Sequence, residues 1–296
     1  MKILVFGETI WDVYPDKSTL GGASLNFCAN LALLGDETWL FTGLGRDELG
    51  RRAAEMIRDY GIRGDFIQLS DRPTGQCIVT LGEGGMPSYH VLQDMAYDNL
   101  RADDGTIDAI GKAGFGVFYF NTLSQRSPVS RASVRAILDR VAFQEIFCDV
   151  NIREGCWDRD SLALCMERAT VAKVSREEAH FFPDCGLTDP ALPFPDAVRK
   201  AFPNVRLLVY TLDADGSAVY DYETGAAHFS GKPETVEVVS TVGAGDCYGA
   251  SFLHRWMADG DIAEAIRFAA DRCRVVVSNT EAIPEAFVDE AKNRRQ

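Results

Sequence analysis

The sequence predicts an α/β fold: a mostly parallel sheet covered by helices, with a small β lid beside it. Three observations carry that expectation. Apolar strand-like runs alternate with helix-like ones over the first 60 residues, a βαβα opening. The alternation breaks between residues 66 and 92, where strand-like runs succeed one another with few helical residues between them. It resumes at residue 117, and the last third is helical.

Residues 2–6 read as a buried first strand, and 23–34 as a helix stopped by Gly35. A second strand follows at 38–42. A helix at 47–60 is opened by Asp47 and closed by Gly61. Strands are expected at 66–69, 76–81 and 88–92, with Gly82-Glu83-Gly84-Gly85 as a hairpin-like turn. Together with the segment around 11–15 they can form a separate small sheet. Then come a strand at 117–120, a helix at 129–141, a strand at 145–149, a helix at 161–169 and a strand at 171–174. Helices near 176–181 and 196–202 precede a strand at 206–211 and a hairpin beginning at 217–220. A strand-like stretch at 236–239 leads into helices at 244–258 and 262–278. No repeat, low-complexity tract or disordered linker interrupts the chain, so residues 1–296 read as one domain.

Of the 296 residues, 46% are hydrophobic and 25% charged, enough to build a core without disulfides or metals. The formal net charge of −14 sets aside nucleic acid and anionic membranes as partners. It also means that any phosphate site must be built locally, from backbone N–H groups, one or two basic side chains and a divalent ion. The eight Cys include no C-x-x-C pair, and they and the four His show no zinc or triad spacing. The opening MKILVFGETIW is too short an apolar run for a signal peptide, and no stretch approaches the roughly 20 apolar residues of a membrane span. A reducing, cytoplasmic compartment is expected, with the Cys acting as small core residues.

The strongest local signal is Ser240-Thr241-Val242-Gly243-Ala244-Gly245-Asp246, set before a helix whose Tyr248, Phe252, Trp256 and Met257 share a face. Two Gly around Ala let backbone approach a ligand, and the first N–H groups and dipole of the helix favour an anion there. Asp246, in the first turn, is placed to take a proton from a hydroxyl. Spacing alone fits an ordinary glycine turn equally well. There is no P-loop motif, and Gly43-Leu44-Gly45-Arg46-Asp47-Glu48 lacks the third Gly of a dinucleotide fingerprint.

This late glycine turn, together with Gly21-Gly22-Ala23-Ser24-Leu25-Asn26 opening an early helix, resembles the ribokinase-like (PfkB) carbohydrate kinases, with matching order over nearly the whole chain. The resemblance implies a doubly wound α/β domain with a β-sheet lid over the sugar, here from about 11–19 and 66–95. It implies Asp246 as catalytic base, with Gly243, Ala244 and Gly245 as the anion hole. Asp12, in Gly7-Glu8-Thr9-Ile10-Trp11-Asp12, would bind sugar hydroxyls, with Gly21, Gly22 and Asn26 beside the same sugar. Asp149-Val150-Asn151-Ile152-Arg153 resembles the D-x-N-x-R segment of the fructokinase branch and offers Arg153 as a clamp on phosphate or sugar.

Lys173-Val174-Ser175-Arg176-Glu177-Glu178 falls where the family carries N-x-x-E, which implies an indirect magnesium role for Glu178, with Ser175 in place of Asn. Thr211 and Gly216 match a nucleotide-side T-x-G-x-x-G, with Asp213 in place of the first Gly. Asn279 would line the adenine pocket by position. Ser240 stands where the family often has an Asp tied to a monovalent cation. The implied activity is transfer of the γ-phosphoryl group of ATP, with Mg²⁺, to a sugar hydroxyl, fructokinase-like first. Kinases of 2-keto-3-deoxygluconate, ribose or nucleosides are the alternatives, and a catalytically silent sugar-binding protein is the alternative of another class. Small-molecule sugar and ATP are the expected partners, with a homodimer through the lid.

Overall fold

The computed structural model describes residues 1–81, 87–232 and 236–295. The chain opens with β1 (Lys2–Phe6), β2 (Ile10–Val13), β3 (Ser18–Gly21) and α1 (Ala23–Leu34). It continues through β4 (Glu37–Phe41), β5 (Gly43–Gly45), α2 (Glu48–Tyr60), β6 (Gln68–Ser70), β7 (Gly75–Leu81), β8 (Pro87–Val91) and α3 (Asp104–Ala113). β9 (Val117–Asn121), α4 (Pro128–Arg140), β10 (Glu145–Asp149), α5 (Arg159–Arg168), β11 (Val171–Ser175), α6 (Phe181–Asp184) and α7 (Phe194–Ala201) follow. The chain ends with β12 (Leu207–Thr211), β13 (Ser217–Asp221), β14 (Ala226–Phe229), α8 (Ala244–Asp259), α9 (Ile262–Val277) and α10 (Glu285–Arg295).

Eight strands form the main sheet in the order β14-β13-β12-β11-β10-β9-β1-β4. β12 through β4 run parallel, and β13 and β14 add an antiparallel edge. Ile3, Leu4, Val5 and Phe6 of β1 are all fully buried, as expected of a parallel strand covered on both faces. Alternation sends Ile3 and Val5 into one core with Phe27, Phe252 and Phe287, and Leu4 and Phe6 into the other with Ile110, Val134 and Leu162. Because β1 pairs with β4 on one side and β9 on the other, the chain winds outward both ways from β1. The carboxyl end of β1 is therefore a topological switch point, where open α/β sheets bind ligands.

The second sheet has four strands, β3-β2-β7-β8. Residues 66–69, expected to join it, do not. β6 pairs instead with β5 in a two-stranded sheet of its own. Gly43 and Gly45 in β5 let other backbone pack close, since a Cβ there would lie 2.4 Å from the Ala96 carbonyl oxygen or 2.6 Å from the Thr74 nitrogen. The stretch 236–239 is not a strand either. Val238 and Val239 are exposed, and the Val239 and Ser240 amides both donate to the Val277 carbonyl at the end of α9, at 2.8 and 3.2 Å. Hydrogen-bonded turns replace most of the helix expected at 176–181. The turn at 82–85 lies outside the described residues.

Two helices escape sequence reasoning. α3 holds Gly105 and Gly111 and buries only Ile107 and Ile110, so neither its propensity nor its periodicity is strong. Tertiary packing and the Asp103 cap, which accepts from the Thr106 amide at 2.8 Å, hold it. α10 is largely charged and docks through Phe287 and Ala291.

Candidate active site

The carboxyl ends of the parallel strands bring the site residues to one edge of the sheet. Gly243 caps α8 in the left-handed region, φ 79°, and a Cβ there would lie 2.4 Å from the Ala282 Cβ. Only glycine meets both conditions. The Ala244 amide donates to the Thr241 carbonyl at 3.2 Å. Among the described residues the amides of Gly243, Gly245 and Asp246 have no acceptor, while that of Ala244 is taken. Gly243→Ala is expected to lower Tm, at a cost above about 1 kcal/mol, together with kcat, because both φ and space oppose it. A thermal melt and a turnover assay on the same preparation check this.

Asp246 Oδ2 accepts from Asn26 Nδ2 at 2.8 Å, which joins the start of α8 to the start of α1. Burial pushes the Asp246 carboxyl above its ordinary range, while the Asn26 hydrogen bond and the charges of Lys173 and Arg153 pull it down. A carboxylate so raised is a better proton acceptor than a solvated one. The Asn26 Oδ1 atom is buried without a partner. Gly21 sits beside it, since a Cβ at Gly21 would lie 3.7 Å from Asp12 Oδ2 and 3.9 Å from the Asn26 amide. Gly22, at φ 101°, turns the chain into α1.

Asp12, on β2, is pushed up to about 6 by burial, with Arg153 and Cys77 opposing. Arg153 is exposed and makes no ion pair among the described residues. Its charge is felt by both Asp12 and Asp246. Asp12, Gly21, Asn26, Arg153 and Asp246 therefore form one constellation from four separated segments.

Behind it lies an ion pair that sequence reasoning did not assign. Lys173 donates to both oxygens of Asp149, at 3.0 and 2.9 Å, and both side chains are buried. A Cβ on Gly245 would lie 3.2 Å from Lys173 Nζ, so the ammonium sits beneath the glycine turn. Burial works against its charge, but the carboxylates of Asp149, Glu178 and Asp246 outweigh that and raise its pKa. A signal was present in the sequence: a lone Lys inside the apolar run Val171-Ala172-Lys173-Val174 is unusual unless it is paired.

Glu178 is occupied by backbone. Its Oε2 accepts from the Ser175 amide and its Oε1 from the Ile152 amide, each at 2.8 Å. The Glu178 amide returns a bond to Ser175 Oγ at 3.3 Å, a reciprocal pair of the capping-box kind at the head of the turns that follow. Glu177 and Glu178 line a 450 Å³ cleft with Arg153, Trp157 and Ser175. Among the described residues no cluster of three acidic, His or Cys groups could cage a metal.

On the nucleotide side, Thr211 ends β12 opposite Ser217, and a Cβ at Gly216 would lie 2.1 Å from the Gly231 carbonyl oxygen. Asp213 adopts φ 53°, so it keeps a left-handed turn where the related motif has Gly. It is exposed, and its neighbour Asp215 pairs with Arg176 at 2.8 Å. Asn279 donates to the Val275 carbonyl at 2.6 Å, at the end of α9. Among the described residues no hydrogen bond joins Thr211, Gly216 or Asn279 to the Asp246 constellation; the 2.6 Å contact of Ser217 Oγ with the Tyr248 hydroxyl ties β13 to α8.

A glycine-turned helix start beside a carboxylate, next to the open end of a doubly wound sheet, is a place where an anionic ligand can be held. The chain belongs to the pfkB family of carbohydrate kinases, whose family model matches residues 2–286, and it is a sugar kinase. It is 27% identical over 311 residues to Fructokinase-1 of Zea mays, covering 95% of this chain and 93% of that one. It is 28% identical over 271 residues to an aminoimidazole riboside kinase of Salmonella typhimurium strain LT2, covering 85% and 80%. The fold matches a fructokinase of Xylella fastidiosa solved with bound ATP, with a TM-score of 0.81 at 19% identity over 100% of this chain and 99% of that one. Among the described residues no helix is long and apolar enough to cross a membrane.

Proposed function

We propose that the protein is a fructokinase-like enzyme that moves the γ-phosphoryl group of ATP onto a hydroxyl of fructose or a close ketose. The Asn26–Asp246 hydrogen bond carries this reading, since it sets a half-buried carboxylate beside Asp12 and Gly21 at an anion-favouring helix start. Asp12 accepts hydrogen bonds from sugar hydroxyls, and Asp246 takes the proton of the attacking one. The amides at the start of α8 hold the charge of the moving phosphoryl group, and Arg153 clamps it.

Magnesium takes most of its ligands from phosphate and water, which fits a site without a protein cage. Glu177, with Glu178 behind it, would hold the ion through water, and the ion would neutralise charge on the β- and γ-phosphates. Exposed Val238 and Val239, tied to the end of α9 by the Val239 amide on the Val277 carbonyl, offer an apolar seat for adenine. A homodimer through the four-stranded sheet is expected from its open edges at β3 and β8, and light scattering checks it. Eight free thiols suit a reducing cytoplasm.

The test is ADP release with Mg-ATP against fructose, ribose, 2-keto-3-deoxygluconate, glucose and adenosine. A rate confined to fructose supports the proposal, and a rate confined to another member replaces it. The Asp12 carboxyl adds a pH signature. Its folded value of about 6 lies above that of a free carboxyl, so the ionised form, which binds sugar, is lost as pH falls through about 6. The KM for sugar is expected to rise below that pH while kcat at saturation changes less. The same sign makes the ionised group a cost to stability above about pH 6. Asp12→Asn should therefore raise Tm at pH 8, with the gain fading in acid, while weakening sugar binding.

A further inference from the structure

Glu8 is fully buried between β1 and β2, and nothing in the proposed chemistry uses it. Its carboxylate gathers four donor contacts. Oε1 accepts from the Ser24 amide at 3.0 Å and from Asn121 Nδ2 at 3.1 Å. Oε2 accepts from Ser24 Oγ at 2.8 Å and from Asn121 Nδ2 at 3.1 Å. Ser24 is the second residue of α1, whose cap residue, Gly22, has no side chain to satisfy the first amides. Glu8 does the capping from another element, accepting the Ser24 amide that a cap side chain would otherwise take. Gly7 clears the way: a Cβ there would lie 2.0 Å from Ser24 Oγ. Two residues beyond Ser24, Asn26 donates to Asp246 Oδ2.

We propose that Glu8 is a positioning residue for catalysis, anchoring the first turn of α1 so that Asn26 holds Asp246 Oδ2 and leaves Oδ1 to take the substrate proton. The proposal rests on Asp246 being the base. A loosened anchor lets Asn26 drift, and since a misplacement of about 1 Å at a reacting group can cost about 10² in rate, a smaller drift is expected to cost less.

Glu8→Gln keeps the volume but puts an NH₂ where only donors converge. It is expected to lower kcat about tenfold, to leave the KM for ATP unchanged, and to move the acid limb of the kcat profile upward. The limb moves because the Asn26 bond favours the ionised base, and Asn26→Ala should move it similarly, by about one unit. The other groups facing Asp246, namely Lys173 of β11, Asp149 of β10, Tyr119 of β9, Arg153 and the thiols Cys247 and Cys273, are unchanged in these variants.

The double variant Glu8→Gln/Asn26→Ala should be no slower than Asn26→Ala alone, since both act through one bond. A merely structural Glu8 would lower Tm and leave the limb in place. A folded Glu8→Gln enzyme with wild-type kcat and acid limb, or a fully additive double variant, overturns the proposal. If Glu8→Gln does not fold, Ser24→Ala, which deletes one donor to Glu8, must move the same limb, and failure to do so overturns it equally. Asp246→Asn separates the two levels: an active Asp246→Asn enzyme removes the base and this proposal with it, whereas an inactive one beside an unaltered Glu8→Gln enzyme removes this proposal alone.

Discussion

Replacing Asp246 by Asn is expected to lower kcat by about 10² or more while leaving the fold intact. The substitution keeps shape and keeps a partner for the Asn26 amide, but removes the oxygen that takes the proton. Sugar and ATP affinities should change little, because Asp12, Arg153 and the helix amides remain. Stability should move the other way. Burial raises the Asp246 carboxyl, so the folded state binds its proton more readily than the unfolded chain does. The ionised group therefore costs stability at neutral and alkaline pH, and the cost fades in acid. Asp246→Asn should melt at or above the wild-type temperature at pH 8, with the difference shrinking at low pH. Single-turnover kinetics and thermal melts on one preparation check both halves. Near wild-type turnover would remove Asp246 as the base.

Lys173→Met should have the largest effect on stability. The Lys173–Asp149 pair is buried, with both contacts at 3.0 Å or less. Removing the cation leaves Asp149 uncompensated in the interior, which costs on the order of 3–5 kcal/mol, a large share of the total for a domain. The double variant Lys173→Met/Asp149→Leu should recover much of that loss, since apolar replacements of both partners are tolerated far better than a lone charge. It should not recover activity, because the ammonium beneath Gly245 would still be missing from the phosphoryl site. Denaturant melts of the two single variants and the double variant measure the coupling. A Lys173→Met protein as stable as wild type would show that the pair contributes little to holding the fold.

Much of the main domain is legible locally. β1, α1, α2 and β10 begin and end close to where apolar runs, the Asp47 cap and the stop glycines Gly35 and Gly61 place them, because those signals act within a few residues. The failures share a cause. Residues 236–239 have strand composition but pair with no strand among the described residues, and Gln68–Ser70 pairs with the short Gly43–Gly45 strand, a partner that shows only in three dimensions. α3 forms although its propensity is poor, because Ile107 and Ile110 find a core.

The site divides the same way. Sequence by itself pointed to the family, and offered the glycine turn with Asp246 and the carboxylate and glycines at Asp12, Gly21 and Gly22 as candidates, since each is a short run whose residue types state their backbone and chemistry. Tertiary structure decided what those residues touch. Asn26 meets Asp246 across 220 residues, Glu8 meets Asn121 across 113, and Lys173 meets Asp149 from a neighbouring strand. Contacts at such separations depend on strand order and helix packing, which no local pattern encodes. They also set the desolvation that raises Asp246, and desolvation belongs to the folded interior rather than to any stretch of sequence.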